Sequence, residues 1–130
     1  KDRRIIVVFG SAGSRDARKR PVLGSIADSN CDVIILTSED PRHEDPSEIA
    51  EQIKSGVKDH ACFFIEDRYY AIRQAIELAN AGDLVMVLGK GDEDYMDING
   101  TKEFWTGDQN AAREILKEIL LERGETNEDK

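Results

Sequence analysis

Three short stretches of the 130-residue chain gather residue types that hold charged ligands. The first, GSAGSRDARKRP (residues 10–21), sets glycines ahead of four bases in six residues: Arg15, Arg18, Lys19 and Arg20. Bases in the first turn of a helix oppose its dipole by about 0.3–1 kcal/mol each at exposed sites, a cost that a bound carboxylate or phosphate offsets. The stretch fits neither GxxxxGK[ST] nor GxGxxG, so it is not a Walker-type phosphate loop or a dinucleotide fingerprint. The second, SEDPRHEDP (residues 38–46), packs four acids, an arginine, a histidine and two prolines into nine residues. Asp45-Pro46 has a structural use as a helix cap and first helical residue. Glu39, Asp40 and Arg42 have no such use, and Pro41 holds them near the end of the preceding strand. The third, GKGDEDY (residues 89–95), sets Lys90 between two glycines and Glu93 just after them, one positive and one negative contact for a ligand. Taken singly, each stretch also reads as a solvated, charged turn. Together they offer guanidiniums for a carboxylate, which Arg grips with two parallel hydrogen bonds, and carboxylates for an ammonium. An amino acid carries both groups.

The elements that must position these loops alternate. RIIVVF (residues 4–9), a continuous β-branched run, reads as a strand buried on both faces, CDVIILT (31–37) and LVMVLG (84–89) as buried strands, and ACFFIE (61–66) as a shorter strand. Helices are expected over residues 17–30, with Leu23, Ile26 and Ala27 as its apolar positions, from Pro46 with an Ile49, Ile53 and Val57 stripe, and over the stretch from Asp67 with Ile72, Ile76 and Ala79 inward. YMDINGTKEFW reads as a hairpin around Asn99-Gly100. A last helix over residues 108–121 turns Ala111, Ala112, Ile115, Leu116 and Ile119 inward. The expected fold is α/β: a Rossmann-like, mostly parallel sheet with helices on both faces and a C-terminal β-hairpin. Its ligands sit outside the carboxyl ends of the strands, where all three charged stretches fall. The domain is expected over residues 1–122, with a disordered tail over 123–130.

Composition narrows the function. A net charge of −9 argues against non-specific nucleic-acid binding and against an anionic membrane surface. No apolar run approaches the roughly 20 residues of a membrane span. Cys31 and Cys62 form no CxxC pattern and read as core residues of a reducing compartment; His43 and His60 read as surface residues. A regulatory or nucleotide-binding module on a flavodoxin-like sheet is the alternative to a ligand-processing domain. A receiver domain is disfavoured, because Gly-Ser-Ala-Gly follows the first strand where an acidic pair belongs.

VFGSAGSRDARKRP, TSEDPRHEDP and VMVLGKGDEDY, in that order, resemble the C-terminal domain of Mur ligases. The similar branch adds the third residue to UDP-N-acetylmuramoyl-L-alanyl-D-glutamate, and its blocks read FGxGGxRDxxKRP, DNPR followed by EDP, and GKGHE. The resemblance covers nearly the whole chain. It implies one domain of a cytoplasmic, monomeric, ATP-dependent ligase of peptidoglycan synthesis. ATP and Mg2+ are held mainly by a separate central domain, and the partners are the amino acid and the UDP-sugar peptide. No catalytic residue and no turnover are expected in this chain alone. Carried over by position, Arg15 binds the amino acid's carboxylate, Asp40 and Arg42 fall on the Asn and Arg of DNPR, and Gly89 and Glu93 match GKGHE. Glu39-Asp40 stands where the family has Asp-Asn, and Asp92 where it has His. The added acid suits a terminal ammonium, with Arg42 paired to Asp40 or Glu39. On this basis L-lysine is favoured as substrate, with meso-diaminopimelate next.

Overall fold

The computed structural model describes residues 3–124. Four parallel strands, β1 (Ile5–Phe9), β2 (Val33–Leu36), β3 (Ala61–Phe64) and β4 (Leu84–Val87), form a sheet in the order β3-β2-β1-β4. Between and after them run α1 (Arg20–Asn30), α2 (Pro46–Lys54), α3 (Arg68–Leu78) and α4 (Asp108–Glu122), with the antiparallel hairpin β5 (Tyr95–Ile98) and β6 (Thr101–Phe104) ahead of α4. Alternation along β1 divides the core in two. Ile6 and Val8 face α3 and α4, packing with Ile72, Trp105, Ile115 and Ile119; Val7 and Phe9 face α1 and α2, packing with Ala27, Ile49 and Ile53. This is the expected fold class, with helices on both faces. Among the described residues no helix is long and apolar enough to cross a membrane.

Local chemistry sets the boundaries. Asp45 accepts from the Ser47 N–H and Pro46 opens α2, as its sequence predicts. The helix expected from residue 17 starts instead as a 3-10 turn, Ala17–Lys19, capped by Asp16, and becomes α-helical at Arg20. Pro21, which lacks an N–H, fits the first α-turn and marks the change. Leu23 and Ile26 are not the buried positions of α1: they are 38% and 56% exposed. The buried face is Arg20, Gly24, Ala27 and Asp28. Gly24 turns it inward, because a Cβ there would collide with the Ile53 carbonyl and hold α1 off α2. Leu116 is likewise half-exposed, since the line Ala111, Ile115, Ile119 already defines the inner face of α4. β4 reads from the sequence as a buried strand, yet it pairs with β1 alone among the described residues and leaves Leu84 51% exposed. α4 ends at Glu122, and residues 125–130 of the expected tail lie outside the described residues.

Candidate functional site

The carboxyl ends of β1, β2 and β4 open into one cleft of about 710 Å³, and Arg15, Asp40, Arg42, Gly89 and Glu93 all line it. Two loops that are far apart in sequence are laced together to form its floor. The Gly13 N–H donates to the Asp40 carbonyl at 2.9 Å, and Arg42 Nη1 donates to the Gly13 carbonyl at 2.7 Å. Beneath them lies Arg20, 1% exposed, which donates to Glu44 Oε1 (2.8 Å), Gln52 Oε1 (2.7 Å) and the Ala12 carbonyl (3.0 Å). Glu44 in turn accepts from the Ser14 N–H at 2.7 Å. Arg20, one of the four bases of the charged run, is thus a strut and not an anion ligand. Arg18 spends its guanidinium on Asp16 at 3.0 Å. Arg15 and Lys19 remain as exposed cations on the cleft wall.

Both loops are strained. Ser14, Asp40 and Arg42 have φ of 57°, 43° and 55°. This left-handed region is rarely taken by residues other than glycine, asparagine and aspartate, and it clusters at functional sites. Arg42 is held there by strand-like bonds to the hairpin: its N–H donates to the Asp97 carbonyl (2.9 Å) and its carbonyl accepts from Asn99 (2.7 Å). Its side chain therefore pairs with Asp97, with Nε 3.5 Å from Oδ2, and not with Asp40 or Glu39 as the sequence suggested.

Asp40 is engaged elsewhere. Its Oδ1 accepts from Lys90 Nζ at 2.8 Å and from the Asp97 N–H at 2.9 Å. Burial alone would raise the Asp40 pKa, but these two donors reverse the sign and hold it below the usual carboxylate value. Lys90 is 2% exposed, with Nζ also 2.8 Å from Glu93 Oε1 and 4.7 Å from the Tyr95 ring centroid. Burial works to lower its pKa, and the two carboxylates raise it overall. The sequence marked Lys90 as a positive contact for a ligand; folded, that charge points at two acids. Glu39 has the opposite character: burial raises its pKa, offset in part by Arg68. Its carboxylate lies against Gly89, whose φ of 111° requires glycine; a Cβ there would also push the Glu39 carboxylate aside.

Arg68, 2% exposed, closes the back of the site. It grips Asp108 with Nε and Nη2 at 2.8 and 2.9 Å and donates to the Ser38 and Leu88 carbonyls at 3.0 Å each. That clamp ties the ends of β2 and β4 to α3 and α4. The sequence puts Arg68 at a strand end but does not show its partners, which are 20 to 40 residues away along the chain. Among the described residues no group of three or more His, Cys, Asp or Glu is placed to hold a metal ion.

The comparisons with known proteins agree with this geometry. Residues 1–91 match the family model described as Mur ligase, glutamate ligase domain. The chain is 46% identical over 118 residues to an Aquifex aeolicus protein named UDP-N-acetylmuramoyl-L-alanyl-D-glutamate--2,6-diaminopimelate ligase, covering 90% of this chain and 23% of that one. It is 43% identical over 131 residues to a Borreliella burgdorferi UDP-N-acetylmuramyl-tripeptide synthetase, covering 98% of this chain and 25% of the relative. A solved structure of a UDP-N-acetylmuramoyl-L-alanyl-D-glutamate--2,6-diaminopimelate ligase superposes with a TM-score of 0.83 at 38% identity, over 89% of this chain and 24% of that one. The chain spans about a quarter of the length of these relatives. Fold, loop blocks and sequence identity converge on one assignment: the chain belongs to the Mur ligase family, as its C-terminal domain.

Proposed function

We propose that this chain is the amino-acid-binding domain of an ATP-dependent ligase that adds a diamino acid to UDP-N-acetylmuramoyl-L-alanyl-D-glutamate in peptidoglycan synthesis. The observation that carries the reading is the convergence of Arg15, Asp40, Arg42, Gly89 and Glu93 on a single cleft at the strand ends. The names of the relatives support the same chemistry. In this reading Arg15, with Lys19 beside it, takes the carboxylate next to the reacting amine. Glu39 is left for an ammonium, since Glu93, like Asp40, is held by Lys90. The domain's contribution to rate is orientation, since a fixed amine meets an activated carboxyl carbon at a far higher effective concentration than a free one.

The order of preferred substrates is the reverse of that read from the sequence. The sequence favours lysine only if Asp40 is free to hold a terminal ammonium. With that carboxylate on Lys90 and on the Asp97 N–H, and with Arg42 on the cleft wall, the far end of the site suits a carboxylate better. We therefore place meso-diaminopimelate first and L-lysine second. ATP supplies the activation of the acceptor carboxylate with magnesium. The donor set described here does not fit a magnesium site, because its acids are spent on Lys90 or stand singly. Both are assigned to parts of the full-length protein outside this chain.

The test is an amino-acid panel on the full-length protein carrying this domain. Ligation of meso-diaminopimelate in preference to lysine and ornithine is expected, with Arg42→Ala weakening use of diaminopimelate most. Ligation of no diamino acid at all overturns the functional reading, and a clear preference for lysine overturns the order. The isolated domain is expected to show no turnover.

A further inference from the structure

The charge of the far end of the cleft depends on a residue that does not line it. Lys90 follows the left-handed Gly89, which turns the chain back so that the lysine points inward beneath the loops. Its ammonium lies 2.8 Å from Asp40 Oδ1 and 2.8 Å from Glu93 Oε1, with the Tyr95 ring on a further side. Both acids line the cleft. With Lys90 in place, Asp40 and Glu93 share one positive charge, and Arg42 stands near them with part of its guanidinium accessible. Without it, two carboxylates would face the same space, with the half-buried Glu39 as a third. Three acids around one small volume form a site for an ammonium, as like charges in low dielectric demand a counter-charge.

We propose that Lys90 is the specificity-determining residue of the far end of the site: by neutralising Asp40 and restraining Glu93 it makes the cleft accept a distal carboxylate and not a bare distal ammonium. The inference rests on the functional reading above and assigns its substrate choice to a positioning residue that touches no substrate. It also accounts for an acid at position 40 in a site that suits a carboxylate. Asp40 acts inward, as the partner of Lys90 and the acceptor of the Asp97 N–H, and so fixes the hairpin from which Arg42 is hung.

The experiment compares the full-length protein with its Lys90→Gln, Asp40→Asn and Asp40→Asn/Lys90→Gln variants. It reads the ratio of kcat/KM for meso-diaminopimelate to that for L-lysine, with KM for ATP alongside. Lys90→Gln is expected to lower the ratio by about tenfold, the loss of one charge-assisted contact, with KM for ATP unchanged. Asp40→Asn is expected to raise it, because Lys90 then balances Glu93 alone and the net negative charge of the trio is removed. The double variant falls between the two. A structural role alone would lower both substrates together and leave the ratio where it was, which would overturn the proposal. If Lys90→Gln does not fold, because an unpaired carboxylate is left buried, the double variant removes that charge. Its ratio must then lie about tenfold below that of Asp40→Asn, and equal ratios would overturn the proposal. A wild-type protein that uses neither diamino acid would instead sink the functional reading.

Discussion

The two edges of the parallel sheet use aspartate and glutamate in opposite ways. At the amino edge the acids are consumed by the backbone. Asp32 accepts from the Ile5 N–H at 2.8 Å, Asp83 from the Arg4 and Asn80 N–H groups at 2.9 Å each, and Asp28 from the N–H groups of Lys58, Asp59 and His60. Amide donors hold Asp28 and Asp83 well ionised: the first cause of each lowered pKa is a backbone hydrogen bond, from Lys58 and from Asn80. At the carboxyl edge burial works against ionisation at Glu39 and Asp40, and side chains many residues away must compensate. The backbone differs too, since Ser14, Asp40 and Arg42 all take positive φ at the carboxyl edge. One edge is built to be satisfied by itself. The other holds charge and strain in a form that a ligand completes.

The sharpest way to break this contrast is through Arg68, a carboxyl-edge cation that is wholly engaged. Asp108→Ala strands it in the interior, and a loss of about 3–5 kcal/mol is expected in denaturant titrations. A loss under 1 kcal/mol would mean that the clamp does not hold that edge together. Arg15 should behave in the reverse way. Arg15→Ala is expected to cost about 10- to 100-fold in kcat/KM for the amino acid in the full-length protein, with an unchanged melting temperature, because the side chain is exposed. Ser14→Gly tests the strain. It keeps the N–H to Glu44 and removes the left-handed penalty, so about 0.5–1 kcal/mol of added stability is expected from equilibrium unfolding.

The smallest expected effect belongs to the amino edge. The Asp28 carboxylate, 3.0 Å from His60 Nδ1, raises the histidine's pKa above its ordinary 6.5. A raised pKa means that the pair's stabilisation is complete below the unfolded value and is lost as pH rises through the folded one. The melting-temperature gap between the wild type and His60→Ala should therefore close on going from about pH 5 to pH 9. A gap that widens with pH would contradict the pairing. An NMR titration of the ring places its midpoint directly.

The same contrast explains what was legible in the sequence. Strands β1 and β2 announce themselves as β-branched runs, Asp45-Pro46 marks the start of α2, and Asn99-Gly100 marks the hairpin, because each of these signals is local. All five residues named for the cleft do meet there. What the sequence hid is pairing over distance. Arg20 finds Glu44 24 residues on, Arg68 finds Asp108 40 on, and Lys90 finds Asp40 50 back. A charge count reads all three as surface residues, yet each is buried. Asp40 was misread as free for the same reason, and β4 as interior because an apolar run does not tell how many neighbours a strand has.

One consequence lies in the backbone stitching of Arg42 to the hairpin. The guanidinium that faces the cleft is carried on a lever whose other arm is β5 and β6. An insertion at Asn99-Gly100, or a one-residue slip between the two strands, is expected to re-aim Arg42 while every cleft residue stays the same. Evolution could retune the grip on substrate from that remote tip, and hydrogen exchange at Arg42 and Asn99 should rise and fall as one.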